Sequence, residues 1–139
     1  MLLTSFDPIL KELEQLTRHV LHGTAGMVPM DGIRRPGEVV LRFDVPGIDP
    51  GSIEVTVDRG ILTVSGKREE TYDDGERLFV DERPKGAFMR RVYLPEHLDA
   101  DGIQAACNNG VLVVRIPVLE QAQPRKVEIA KGETPFLTK

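Results

Sequence analysis

A single all-β domain behind one short helix is the fold this sequence predicts, and three observations predict it. From about Met30 onward apolar residues recur at every second position, the period of a half-buried strand, where earlier they recur at helical spacing. Thirteen Gly and ten Pro punctuate the chain, which favours short strands and many turns over long helices. The 139 residues suffice for one domain burying roughly two thirds of its unfolded surface, and leave no room for a second full one.

The helix comes first. Ile9, Leu10, Leu13, Leu16, Val20 and Leu21 share one face, while Lys11, Glu14, Gln15, Arg18 and His22 take the other. Asp7 before Pro8 supplies an N-cap with a first-turn proline, and Gly23 a C-terminal stop. Such a helix either docks on the domain's own core or forms a mobile or oligomer-buried arm. The loosening residues Gly23 to Gly26 and Pro29 favour the arm.

The strands follow. Val39, Leu41, Phe43 and Val45 alternate with Glu38, Val40, Arg42 and Asp44, and Ile53, Val55 and Val57 with Ser52, Glu54, Thr56 and Asp58. Pro46-Gly47 separates these two. Asp58-Arg59-Gly60 turns the second into Ile61 to Ser65, and Asn109-Gly110, the strongest hairpin signal in the chain, turns Ile103 to Asn108 into Val111 to Ile116. Gly60-Ile61-Leu62-Thr63-Val64 and Gly110-Val111-Leu112-Val113-Val114 share a pattern, which makes two similar hairpins rather than a solenoid. Between Gly66 and Gly86 the chain is highly charged around an apolar island, Leu78-Phe79-Val80; so long an excursion needs a job. After Pro117 the alternation stops, and Val127-Glu128-Ile129 offers two apolar anchors. They either close an edge of the same sandwich or dock as an added strand on a neighbour.

Composition narrows the function. With 40% hydrophobic and 29% charged residues, neither wholesale disorder nor a membrane-embedded chain fits. A net charge of -4 gives no counterion-release drive towards nucleic acid. One cysteine forbids an internal disulfide and suggests a reducing compartment. The first 21 residues carry Asp7, Glu12 and Glu14 and no early basic cluster, unlike a secretory signal, so a cytoplasmic protein without transmembrane association is expected.

No catalytic, cofactor or metal site assembles. Gly60 to Lys67 misses the phosphate-loop spacing, Arg68 stands where Ser or Thr would hold magnesium, and its alternating residues make a strand. His19 and His22 could share a metal but have no third ligand nearby in sequence. Cys107 shares a strand face with Ile103 and Ala105 and reads as a packed thiol. Ser5, Ser52 and Ser65 lack a nucleophile elbow, and His97 lacks an evident partner. Asp73-Asp74-Gly75-Glu76 reads as a solvated turn rather than a calcium loop.

The ordered set Asp44-Val45-Pro46-Gly47-Ile48, Gly60-Ile61-Leu62-Thr63-Val64-Ser65-Gly66, Gly86-Ala87-Phe88-Met89-Arg90-Arg91 and Leu94-Pro95 resembles the small heat shock proteins of the alpha-crystallin type, bacterial class. Ala105, Asn109-Gly110-Val111-Leu112 and Ile116-Pro117 are similar to that family's signature, and Val127-Glu128-Ile129 to its C-terminal Ile-X-Ile/Val motif. The resemblance implies an immunoglobulin-like β-sandwich over 30–117, an N-terminal arm and linker over 1–29, and a C-terminal extension over 118–139. It implies an ATP-independent chaperone, a holdase that keeps unfolding client proteins from aggregating, with itself as the other partner. A second reading is a monomeric or dimeric co-chaperone or adaptor that binds one folded partner.

Four groups of residues are expected to carry that function. Phe6, Leu10, Leu13, Leu16, Val20 and Leu21 form a client-binding face on the arm. Leu78, Phe79 and Val80, which resemble the exchanged loop strand of bacterial and plant members, pair with a partner's early strand at about Met30 to Arg34. Arg90 shares a strand face with Phe88, Val92 and Leu94, needs a partner there, and by resemblance lies at the dimer interface; Asp81, Glu82 or backbone carbonyls could satisfy it. Val127 and Ile129 enter a groove between Ile53, Val55 and Val57 on one strand and Ile103, Ala105 and Cys107 on another.

Overall fold

The computed structural model describes residues 7–17, 28–119 and 126–132. Helix α1 spans Pro8–Thr17, with Asp7 capping its start. Asp7 Oδ1 accepts the Ile9 N–H at 3.1 Å and the Asp7 carbonyl accepts that of Lys11 at 3.0 Å, while Pro8 has no N–H to leave orphaned.

Seven strands follow: β1 (Met30–Arg35), β2 (Glu38–Asp44), β3 (Glu54–Asp58), β4 (Ile61–Arg68), β5 (Gly86–Tyr93), β6 (Gln104–Asn108) and β7 (Val111–Pro117). They pair antiparallel in two sheets, one of order β1-β2-β7-β6 and one of order β3-β4-β5. Their inner faces meet. Val39, Leu41 and Phe43 of β2, Leu112, Val114 and Ile116 of β7, Leu62 and Val64 of β4, and Phe88 and Val92 of β5 are all buried in one cluster. Alternation along each strand turns the intervening residues to the outer faces, where Val40 of β2 is nonetheless buried; this is the β-sandwich architecture that the periodicity of two requires.

Two hairpins repeat the same local design. Asp58 pairs with Ile61 and Asn108 with Val111, so each loop has two residues, and each takes the left-handed region at both: φ is 52° at Arg59 and 76° at Gly60, 53° at Asn109 and 75° at Gly110. This geometry matches the right-handed twist of the strands it joins. Ahead of each hairpin a 3-10 turn, Pro50–Ser52 or Ala100–Gly102, begins at an aspartate whose carboxylate accepts the N–H two residues on. One hairpin ends up in each sheet.

The core extends past the strand run at both ends. Val28 is fully buried before β1, and Val118 is buried after β7, where it bridges Leu98 and its N–H donates to the Gly37 carbonyl at 2.9 Å.

Candidate functional site

A two-layer sandwich has two open sides, each between an edge of one sheet and an edge of the other. β1 and β5 bound one side; β3 and β6 bound the other. Among the described residues, every expected site residue lies on one of these sides or on a segment that leaves the sandwich.

Helix α1 crosses the β1/β5 side. Ile9 is 4% exposed and joins the core cluster, with Leu13 packed against it. Asp7 Oδ2 pairs with Arg34 Nε of β1 at 3.2 Å, and Glu12 Oε2 lies 3.4 Å from His97 Nε2, the partner that the sequence did not reveal for this histidine. Beneath the helix a cavity of about 320 Å³ is lined by Leu10, Leu13, Met30, Leu41, Arg90 and Val92, among others. Of the proposed client face, Leu10 and Leu13 are thus half-buried against their own domain; Phe6, Val20, Leu21 and the Leu16 side chain lie outside the described residues.

Arg90 sits on the inner face of β5, 7% exposed, and its Nη1 donates to the Val28 carbonyl at 2.8 Å. A backbone carbonyl of the segment entering β1 thus accepts one of its hydrogen bonds. Burial lowers its pKa from the usual arginine value.

Among the described residues β1 is the outer strand of the four-stranded sheet, hydrogen-bonded to β2 along one edge. Away from it, between β4 and β5, Leu78, Phe79 and Val80 lie in a non-helical, non-strand segment and all three are exposed, Phe79 by 95%. Tyr72 adds a fourth exposed apolar side chain to the same loop. The acidic turn at its tip closes as the sequence suggested, with the Glu76 N–H donating to the Asp73 carbonyl and the Asp73 N–H to Glu76 Oε1, both at 3.0 Å.

The base of that loop holds a residue that periodicity did not single out as functional. Arg68 closes β4 on its inner face, 6% exposed; Nε donates to the Pro46 carbonyl at 2.9 Å and Nη1 to the Pro84 carbonyl at 3.1 Å. Position alone would have flagged it, because Leu62, Val64, Gly66 and Arg68 share the inward phase.

On the β3/β6 side, Ile53, Val55, Val57, Ile103 and Cys107 are half-buried against the core, whereas Ala105 is exposed. The extension carries Val127 and Ile129 away from any strand of its own, 75% and 90% exposed. Among the described residues no three His, Cys, Asp or Glu side chains cluster as a metal site needs, and no helix is long and apolar enough to cross a membrane.

Comparison with known proteins bears on this arrangement. Residues 31–130 match the model of the Hsp20/alpha crystallin family, a span that takes in both sheets, the loop and the two tail anchors. The 18 kDa antigen 1 of Mycobacterium intracellulare is 41% identical over 130 residues, covering 91% of this chain and 85% of its own. The 18 kDa heat shock protein of Streptomyces albus G is 37% identical over 92% of both chains. Among solved structures, a small heat-shock protein from Xylella fastidiosa, described as having a distinct high order structure, superposes with a TM-score of 0.63 at 39% identity, covering 75% of this chain and 96% of that one.

Proposed function

The chain belongs to the Hsp20/alpha crystallin family of small heat shock proteins, and from that premise we propose how its surfaces divide the work of a chaperone. It is an ATP-independent chaperone that binds unfolding proteins and forms homo-oligomers. The adaptor reading is not favoured. The assignment of steps to residues is ours, and the observation that carries it is the distribution of exposed apolar side chains: Phe79 on the loop, Val127 and Ile129 on the extension.

Large apolar side chains at this exposure favour burial, at about 1.5–3 kcal/mol each, and a chain that kept them bare at rest would associate with itself. In our reading Leu78, Phe79 and Val80 add as a strand to the open edge of β1 in a partner, making the dimer by exchange; the edge's unpaired N–H and C=O groups supply the register. Arg90 holds the entry to β1 in place for that pairing. Val127 and Ile129 dock in the β3/β6 groove of a neighbour, contributing about 3–6 kcal/mol before the cost of ordering the tail. Each contact is weak alone, and avidity holds the assembly until warming loosens it. Client binding falls to the arm, which leaves the β1/β5 side and exposes Leu10, Leu13, Leu16, Val20 and Leu21, with Phe6 near its start. The segments 1–29, 30–117 and 118–139 are then the client arm, the scaffold and the assembly tail. No catalytic step is part of this function, and a cytoplasmic setting suits a chain with one thiol.

The test is aggregation of a heat-labile client followed by light scattering without nucleotide, comparing the full chain with one lacking residues 1–23. The shortened protein is expected to keep a β-rich spectrum and cooperative melting and to lose protection. A folded, shortened protein that protects at equal subunit ratio would move the client site onto the sandwich.

A further inference from the structure

Arg68 is a buried cation whose described hydrogen bonds go to carbonyl oxygens, with no ion pair among the described residues. A guanidinium taken out of water without a carboxylate costs free energy, and an apolar side chain of similar volume in its place is often neutral or stabilising. What Arg68 gains is geometric. One planar group, with donors in a rigid fork, joins three parts of the chain: the last residue of β4, the turn after β2 at Pro46, and the returning leg of the loop at Pro84, just before β5.

A second tie stands just outside the first. Glu70 of the outgoing leg pairs with Arg83 of the returning leg and accepts from the Tyr72 hydroxyl at 2.9 Å. Further along the returning leg, Lys85 pairs with Asp81, next to Val80; that contact raises the pKa of Lys85. The two legs are therefore tied to each other and, through the Arg68 fork, to the body of the sandwich. The apolar strip Leu78 to Val80 runs directly into this tied returning leg at Asp81, so the orientation of the base is passed on to it.

We propose that Arg68 is a positioning residue for subunit pairing: it aims the loop so that Leu78, Phe79 and Val80 reach a second copy's β1 already in register, without touching that copy. This rests on the strand-exchange reading above. Ordering the loop before encounter lowers the entropy that association must otherwise supply, so Arg68 acts on the dimer's dissociation constant more than on the sandwich's stability.

Three variants of the full chain test it, each measured for melting temperature and, by dilution in sedimentation experiments well below melting, for dimer dissociation constant. Arg68→Met is expected to melt within a few degrees of the unaltered protein, because Pro46 and Pro84 are exposed and water takes their carbonyls, and to dimerise at least tenfold more weakly. Arg68→Lys, which keeps the charge but not the fork, is expected to fall between the two, and it decides the matter if the Met variant does not fold. The double variant Leu78→Asp, Val80→Asp reports on the exchange reading itself and is expected to be monomeric. Weakened pairing in this double variant with unchanged pairing in both Arg68 variants overturns the positioning role alone. A double variant that stays dimeric overturns strand exchange and the inference with it.

Discussion

The two open sides of the sandwich present the same physical problem and solve it differently. On the β1/β5 side the chain covers itself: α1 inserts Ile9, Asp7 pairs with Arg34, and Glu12 lies beside His97. On the β3/β6 side Ile53, Val55, Val57, Ile103 and Cys107 stay half-buried, while Val127 and Ile129 of the extension are exposed. A cover within the same chain acts at fixed effective concentration. A cover supplied by a neighbour, as proposed for Val127 and Ile129, would respond to subunit concentration and temperature.

The strongest way to break this comparison is to remove the intermolecular cover. Val127→Ala with Ile129→Ala is expected to reduce large assemblies to dimers, measured by native mass spectrometry, while melting of the isolated sandwich stays within about 0.5 kcal/mol, as for exposed positions. Unchanged mass would put the motif to work within its own fold. A smaller effect is expected on the other side. Ile9→Asp places a charge where a 4% exposed side chain sat, so α1 should undock, costing about 1–3 kcal/mol and raising hydrogen exchange in residues 8–17 without unfolding the strands. Loss of the whole fold would show that α1 is part of the core, and slow exchange would show that the helix stays seated.

The smallest effect serves as a control away from both sides. Glu38 of β2 accepts from Arg115 Nη2 of β7 at 2.8 Å and pairs with Arg35 at 3.6 Å on the outside of the four-stranded sheet. The Arg115 hydrogen bond holds its carboxyl below the usual value of 4.5. A carboxyl so lowered stabilises the fold above its unfolded pKa, and that contribution is lost as pH falls through the lowered value. Acidification below about pH 4.5 should therefore narrow the stability gap between the native chain and Glu38→Gln, as read from melting temperatures. An undiminished gap would mean that the pair contributes nothing through charge.

What could be read from the residues divides along the same line between local and distant. Arg59-Gly60 and Asn109-Gly110 announced their turns because φ above zero is a local demand that few residues meet, and the strands declared their inner faces by alternation. The partners of Arg68 and Arg90 left no mark, because both bind backbone carbonyls, which every residue carries. Val28 passed for linker although it is fully buried, and the Glu12–His97 pair joins segments that nothing in the local pattern connects. The alternation read from the residues does turn Ile53, Val55, Val57, Ile103 and Cys107 towards the core. Ala105 sits in the same phase but is exposed, since a side chain of one carbon does not reach back to the core.

The topology also sets a timetable for synthesis. The three-stranded sheet is built from consecutive strands and is complete once Tyr93 has emerged, the first of its turns being a two-residue loop. β2 lies between β1 and β7 in the other sheet, with Val39 opposite Ile116 and Phe43 opposite Leu112. From the emergence of Asp44 until that of Pro117, one of the most apolar strands in the molecule has a hydrogen-bonding edge with no mate. Such an interval is when nascent chains aggregate. A chaperone of unfolding proteins therefore passes, in every copy made, through an incompletely folded state of its own.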